Sequence, residues 1–452
     1  SPSHRKLTDQ LYRSDNVWWK ICQRVILGVG GMKALESLGY DIDCYHLNEG
    51  HAAFALVESY KQLKGEQCSK KDRKKFAYTC HTPVEAGHDR FVIKDLERIL
   101  GRDFVEAACA LGRDPAYNDL INLTYMCLNG CPHINAVAKK HGEITRLQFP
   151  EFASSVKSIT NGIHIHTWLS DSFQRLFDQH SDVLGDWRNS PENLAQITQL
   201  RGDQKFRKNI FEAHQENKRN LVSILNRWQL RDDVLTVGWA RRIAGYKRPA
   251  LIFHNVEQIL RIAYDIGPIQ IILAGKAHPN DDVGAAHIDE ILDHIDQLNK
   301  HKEVIKVLIL ENYDTYFGKL LTSSVDVWLN NPLPPFEASG TSGMKAILNG
   351  VIQLTTSDGW VVEAQDDDIG WIFGFEHAGE SIGHEMNLKL DEDSDALYAT
   401  LAQVAELYYK TYPHGKLYSE SMWIDKMINC VAKSSFFNTQ RMMCEYKEKM
   451  WG

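Results

Sequence analysis

The sequence holds no Cys-x-x-Cys pair. Its nine cysteines are scattered, so neither a disulfide framework nor a zinc site is indicated, and reduced thiols in a reducing cytoplasm fit that usage. No apolar run is long enough to span a bilayer, and the start lacks the cationic-then-apolar order of a signal peptide. Positive charge is not in excess: 51 Lys and Arg stand against 59 Asp and Glu, a formal net charge of -8. That argues against holding nucleic acid through a general positive field. Low-complexity segments and internal repeats are missing, and no Asp/Glu/His cluster has metal-ligand spacing, so no metal is expected. What remains is 452 residues, 43% hydrophobic and 24% charged. Such a chain can bury full cores, and its length predicts two or three domains.

Alternation organises what is there. Leu7, Leu11 and Tyr12 precede Val17, Trp18, Ile21, Val25 and Ile26 at a period of about 3.6, so residues 1–40 read as helical. Asp43 to Leu47 reads as a buried strand, Asn48-Glu49-Gly50-His51 as its exit turn and Ala52 to Leu63 as a helix. The cycle repeats with the strand Phe76 to Cys80 and its exit His81-Thr82-Pro83. A helix near Asp119 to Leu128 follows, then the strand Val156 to Ile159 with its exit Thr160-Asn161-Gly162. Residues 167–230 are helical and charged, with a break at Trp187 and Pro191. A second alternation places strands at Val234–Trp239, Ile269–Leu273, Val304–Leu310, Val325–Leu329 and Val351–Leu354. Residues 395–409 and 420–450 read as helices. Strands alternating with helices give parallel sheets, whose ligands collect at the carboxyl ends of the strands. The expectation is an α/β chain of two doubly wound Rossmann-like lobes facing a cleft. Residues 1–165 form the first, 166–425 the second, and 426–452 a helix returning to the first.

Glu337-Ala338-Ser339-Gly340-Thr341-Ser342-Gly343-Met344-Lys345 runs into apolar Ala346-Ile347-Leu348, a loop opening into a helix. Unpaired N–H groups at such a start converge where an anion gains from them and from the dipole. Ser339, Thr341 and Ser342 add hydroxyls, and Gly340 and Gly343 let the backbone approach a ligand. Lys345 offers an amine that pairs with a phosphate or, if its pKa is lowered, forms a Schiff base. A Gly/Ser turn capping a core helix has the same spacing. Gly238-Trp239-Ala240-Arg241-Arg242-Ile243-Ala244-Gly245-Tyr246-Lys247-Arg248 carries four cations within eight residues as it leaves a strand. Such a run suits phosphate, Arg as a planar fork and Lys as a point charge, or it is a solvated face. His81 as a structural histidine, Trp168 as a core aromatic and Glu337 as an N-cap neighbour are the plain alternatives for those residues.

The nine residues from Glu337 to Lys345 resemble, in register, the cofactor segment of the α-glucan phosphorylases, most closely the short bacterial and archaeal branch. The resemblance continues in order along most of the chain. It includes Leu-Asn-Glu-Gly-His at 47–51, His-Thr-Pro-Val-Glu-Ala-Gly-His-Asp-Arg-Phe at 81–91, Thr-Asn-Gly-Ile at 160–163 and the Arg241–Arg248 run. It goes on through Gly275-Lys276-Ala277, Glu311-Asn312-Tyr313, Ser357-Asp358-Gly359-Trp360 and Gly370–Gly374, the last two read as mainly structural. It implies a glycosyltransferase of the GT-B type in carbohydrate metabolism, performing reversible phosphorolysis of α-1,4-glucans such as glycogen, starch or maltodextrin to glucose 1-phosphate. Pyridoxal 5′-phosphate would be carried covalently by Lys345. By the same resemblance Arg242, Lys247 and His81 are catalytic. Lys345, Arg241, Thr341, Ser342, Tyr313 and Trp168 hold the cofactor, and Glu337, Ser339, Gly340, Asn161 and Glu49 hold the sugar. The implied partners are α-1,4-glucan, orthophosphate and glucose 1-phosphate, with no nucleic acid and no membrane, in the cytoplasm.

Two departures from the family pattern stand out. Asn331-Pro332-Leu333-Pro334-Pro335-Phe336 occupies the place of two usual arginines. The Gly-Gly-Leu-Gly turn near the family's N-terminus has no counterpart, so the first lobe is expected to lack its front. A homodimer, or association with that missing segment, would follow. Two other functions fit the same shape: a synthase using a nucleoside-diphosphate glucose, for which Lys345 is only a phosphate contact, and a truncated, non-catalytic glucan-binding subunit.

Overall fold

Phe76-Ala77-Tyr78-Thr79-Cys80 is buried at every position, as a strand covered on both faces must be. In the computed structural model it is the second of twelve strands among the described residues. The structure describes residues 5–9, 16–62, 76–84, 87–276, 282–311, 313–375, 390–411 and 418–451. Leu11, Tyr12, Leu63, Ala277 and Asn312, each part of a sequence expectation, lie outside those residues. The strands are β1 (Tyr45–Asn48), β2 (Phe76–Cys80), β3 (Arg90–Val92), β4 (Leu120–Asn122), β5 (His133–Ala136) and β6 (Val156–Ser158), then β7 (Leu235–Ala240), β8 (Ile269–Ala274), β9 (Ile305–Leu310), β10 (Val327–Asn330), β11 (Ile352–Thr356) and β12 (Gly370–Phe373). The chain divides into two units, Ser1–Ile159 with Cys444–Gly452, and Thr160–Met443.

The first unit holds a parallel sheet of order β1-β2-β5-β6 and an antiparallel pair β3-β4. Its core gathers Phe54, Leu56, Tyr78, Phe91, Phe104, Met126 and Ile134. Asn122 caps helix Leu123–Gly130 by accepting from the amides of Thr124 and Tyr125. The helical expectation for Asp119 to Leu128 is corrected at its start, where Leu120 to Asn122 pair with β3. The N-terminal helical stretch is interrupted by a π-turn at Ile26–Gly30. There a side chain on Gly28 would come within 2.8 Å of the Ala55 amide, so the neighbouring helix backbone passes too close for any other residue.

The second unit is a six-stranded parallel sheet of order β12-β11-β10-β7-β8-β9. Every residue of β7, β8 and β11 is buried. Numbered within the unit, this is the 3-2-1-4-5-6 order of doubly wound folds, and the order reverses between β7 and β10. Gly370–Phe373, read from sequence as a structural segment, is its edge strand, paired with β11. The expected helix over 420–450 is broken into Met422–Ser434, Thr439–Tyr446 and a π-turn at Lys447–Trp451. The break has a cause: the Phe437 carbonyl accepts from the Ile163 amide at 2.9 Å and the Thr439 amide donates to Ile163 at 3.0 Å. Backbone groups used in this bridge are not available to a helix. Among the described residues no helix is long and apolar enough to cross a membrane.

Candidate functional site

β7 and β10 are neighbours in the sheet but leave it in opposite directions around the reversal, which opens a crevice at their carboxyl ends. β7 delivers Arg241, and β10 delivers the segment that reaches Glu337. Between them residues 331–335 are buried. They are pinned by Arg248, whose Nε donates to the Asn331 carbonyl at 3.0 Å and Nη2 to the Pro332 carbonyl at 3.1 Å. The stretch from Asn331 to Pro335 is thus part of the wall.

Glu337 is 8% exposed. Its Oε2 accepts from Arg241 Nη2 at 2.5 Å and from Lys247 Nζ at 3.0 Å. Burial pushes the carboxyl up, but the Arg241 and Lys247 charges outweigh it and hold it below the usual carboxylate range. Lys247 is lowered to about 8, first by burial and then by Arg241, against the pull of Glu337. Arg241 has five N–H donors. Its Nε and Nη1 are buried and have no hydrogen-bond partner among the described residues. Leaving charged donors so costs upward of about 1–3 kcal/mol, and two such donors on one guanidinium can take a further acceptor.

The four cations of the run therefore divide. Arg241 and Lys247 face Glu337, and Arg242 is exposed. Arg248, at φ 47°, turns away to bond Asp393.

Glu337 to Gly340 is clamped from β11. The Glu337 amide donates to Asp358 Oδ2 at 2.8 Å, and the Trp360 amide donates to the Ser339 carbonyl at 2.9 Å. Gly359, at φ 61°, passes so close that an added side chain would meet the Ser339 oxygen at 2.3 Å. Burial raises the Asp358 carboxyl to about 8, partly offset by its backbone donors. From sequence Asp358 read as structural. A strand exit ending in Asp-Gly opposite the glycine-rich segment was the signal that it acts on that segment.

Lys345 lies in the seven-residue helix Ser342–Leu348, whose N-cap Thr341 makes no side-chain cap. Ser342 Oγ accepts from Trp328 Nε1 at 3.2 Å, and Ser339 Oγ donates to the Gly340 carbonyl. The Lys345 amine sits 3.5 Å from the centre of the Trp168 ring, and burial alone lowers it to about 8. Tyr313 joins them: a side chain at Gly318 would meet the Tyr313 hydroxyl at 3.1 Å and the Trp168 ring at 3.7 Å. Asn161 is half-buried in the same unit, its carbonyl accepting from Arg441.

His81 and Glu49 meet each other in the first unit. The Glu49 carboxylate accepts from the His81 amide, at the ends of the paired strands β1 and β2. Glu49 is raised to about 7 by burial, against donors that include His81 and Thr82. It holds φ 60°, a backbone cost of order 1–3 kcal/mol for a non-glycine residue. His81 is lowered to about 4, by burial and by His46 and His51, so it is neutral at pH 7.

A sequence model of the carbohydrate phosphorylase family matches residues 113–405, a stretch holding Arg241, Lys247, Glu337 and Lys345. The chain belongs to the carbohydrate phosphorylases. The maltodextrin phosphorylase of Thermococcus litoralis is 33% identical, over 100% of this chain and 56% of its own length. The glycogen phosphorylase of Aquifex aeolicus is 32% identical over 100% and 68%, and that of Mycobacterium tuberculosis 32% over 91% and 52%. The chain thus spans about half to two thirds of these phosphorylases.

Proposed function

We propose that this phosphorylase-family chain acts in reversible phosphorolysis of α-1,4-glucans, giving glucose 1-phosphate and a shortened glucan. Relatives bearing the names maltodextrin and glycogen phosphorylase support the reaction class. The observation that carries the reading is the pair of buried, unpartnered Arg241 donors beside Lys247 and Glu337. An oxyanion fits such donors, and a planar guanidinium fork is suited to phosphate.

Pyridoxal phosphate is the cofactor in this reading, and the residues fit it. With a pKa of about 8, roughly one Lys345 amine in ten is neutral at pH 7, against fewer than about one in a thousand for an ordinary lysine. That fraction is what an aldehyde needs, and the Trp168 ring beside it offers an aromatic face. When bound, the cofactor supplies a 5′-phosphate that relays a proton to the substrate phosphate. Arg241 and Lys247 hold the two phosphate groups near each other by offsetting their repulsion, with Arg242 joining from the exposed side. Glu337 Oε1 and Oε2 accept sugar hydroxyls, helped by the backbone of Ser339 and Gly340, and Asn161 takes the primary hydroxyl. A site that pairs buried polar groups with hydroxyls rejects ligands lacking them. Neutral His81 and Glu49 are proposed sugar contacts of the first unit. Thr341, Ser342 and Tyr313 are proposed to line the cofactor.

The test is glucose 1-phosphate formation from a linear α-1,4-oligosaccharide and orthophosphate, with and without pyridoxal phosphate, alongside mass analysis of borohydride-treated protein. Product formation and a modified Lys345 are expected. Transfer from a nucleoside-diphosphate glucose with Lys345 unmodified would replace this reading with a synthase, and absence of both activities would overturn it.

A further inference from the structure

We propose that Asn349 is the positioning residue of the Lys345 amine, tying the helix that carries the lysine to the segment that carries Trp168. Asn349 follows the last residue of that helix and is 0% exposed. Its Nδ2 donates to the Trp168 carbonyl at 3.0 Å and to the Lys345 carbonyl at 2.9 Å. Its Oδ1 accepts from the Ser170 amide at 2.8 Å. One planar amide thus grips the backbone of both partners of the amine–ring contact. The anchor continues inward. Asn217 of the long helix Gln204–Ile224 donates to Ser170 Oγ at 3.0 Å and to the Ser323 carbonyl at 3.1 Å.

Only asparagine, or its longer homologue, offers two donors and an acceptor on one flat end. Aspartate keeps the contact to Ser170 and loses both carbonyls, while alanine removes all three contacts, the buried Ser170 amide and the part-buried Trp168 and Lys345 carbonyls. The half-buried Trp168 lies on a single helical turn, Ile165–Trp168, so its carbonyl is where the turn can be fixed relative to Lys345. With the ring held there the amine is kept from water and remains in the range where part of it is neutral.

The inference rests on the reading of Lys345 as the cofactor lysine, but its test does not need the cofactor. Competitive acetylation with acetic anhydride across a pH series, read at Lys345 by peptide mass, reports the pH midpoint of this amine. In the unsubstituted protein the midpoint is expected near 8. Asn349→Ala and Asn349→Ser are expected to raise it by about one unit, a tenfold loss of neutral amine at pH 7. Ser170→Pro gives a second route: its φ of -74° suits proline, and it removes the N–H donated to Asn349 together with the hydroxyl that Asn217 and the Phe173 amide bond, so the same upward shift is expected. Gln270→Ala, which removes bonds to Arg231 and Thr236 at the start of β8, should cost stability and leave the midpoint in place. An unchanged midpoint in any folded Asn349 variant, or in Ser170→Pro where the others do not fold, overturns the proposal. If the midpoints shift as expected while pyridoxal phosphate and borohydride fail to label Lys345 in the unsubstituted protein, the cofactor reading fails and the positioning role stands.

Discussion

Arg241 and Arg248 are the same side chain with opposite duties, and substitution should separate them. Arg241→Ala removes the two buried donors that have no partner among the described residues, so phosphorolysis should fall about a hundredfold, as for loss of one charged transition-state contact. Turnover at saturating glucan measures it. Arg248→Ala instead strips Asp393 of its buried partner and should register in the melting curve, at about 3–5 kcal/mol. Asp358 makes a prediction about pH. Its carboxyl titrates near 8 in the fold, far above the ordinary carboxylate range. Between about pH 4 and pH 8 the folded protein therefore binds the proton more tightly than the unfolded chain does. The stabilisation is full at the acid end and is lost as pH rises through 8. Asp358→Asn should flatten that part of the stability profile, read as a smaller fall in Tm between about pH 4 and pH 8; an unaltered slope would show that Asp358 does not titrate there.

At the scale of elements, the turn after β11 fixes the backbone that presents Glu337, Ser339 and Gly340. Gly359→Ala must displace the Ser339 carbonyl, so the KM for glucan should rise several-fold or more, while Lys345, on the next helix, keeps its reactivity. Much of this was legible in the sequence for a physical reason. β8 and β9 are rich in Ile, Val and Leu between polar turns, as largely buried parallel strands tend to be, and β7 and β11 keep enough apolar residues beside their Thr, Gly and Gln to read the same way. β5 was missed because His133 and Asn135 interrupt its apolar pattern. Asn135 is buried all the same, accepting from Thr79 Oγ1 at 2.7 Å, a tertiary contact that no local window contains. The long C-terminal helix was over-read for the mirror-image reason: its pattern runs on past Ser434, and the break rests on the tertiary bridge to Ile163 together with the local bonds of Asn438. In the site, residue types announced the cations and the glycine-rich loop. Which cation turned toward Glu337 and which away from it was decided by the backbone at Arg248, invisible in composition.

For the molecule as a whole, the second unit carries Arg241, Lys247, Glu337, Lys345 and Trp168 in one body with its own core. A ligand that binds only the folded state stabilises by mass action, about 2.7 kcal/mol at a hundred times Kd. Pyridoxal phosphate should therefore raise the melting temperature, and its removal should lower it again. Lys345→Ala should abolish most of that response. A response of equal size in the variant would place the binding elsewhere. Arg241 and Glu337 are 96 positions apart in the chain, with all of β8, β9 and β10 between them. Closing so long a loop is entropically costly and slow relative to local helix formation. During refolding, circular dichroism should recover before any capacity to capture phosphate does. A ribosome would likewise have to release the chain through Glu337 before the ion pair could exist, so a nascent chain stalled short of that residue should be chemically mute.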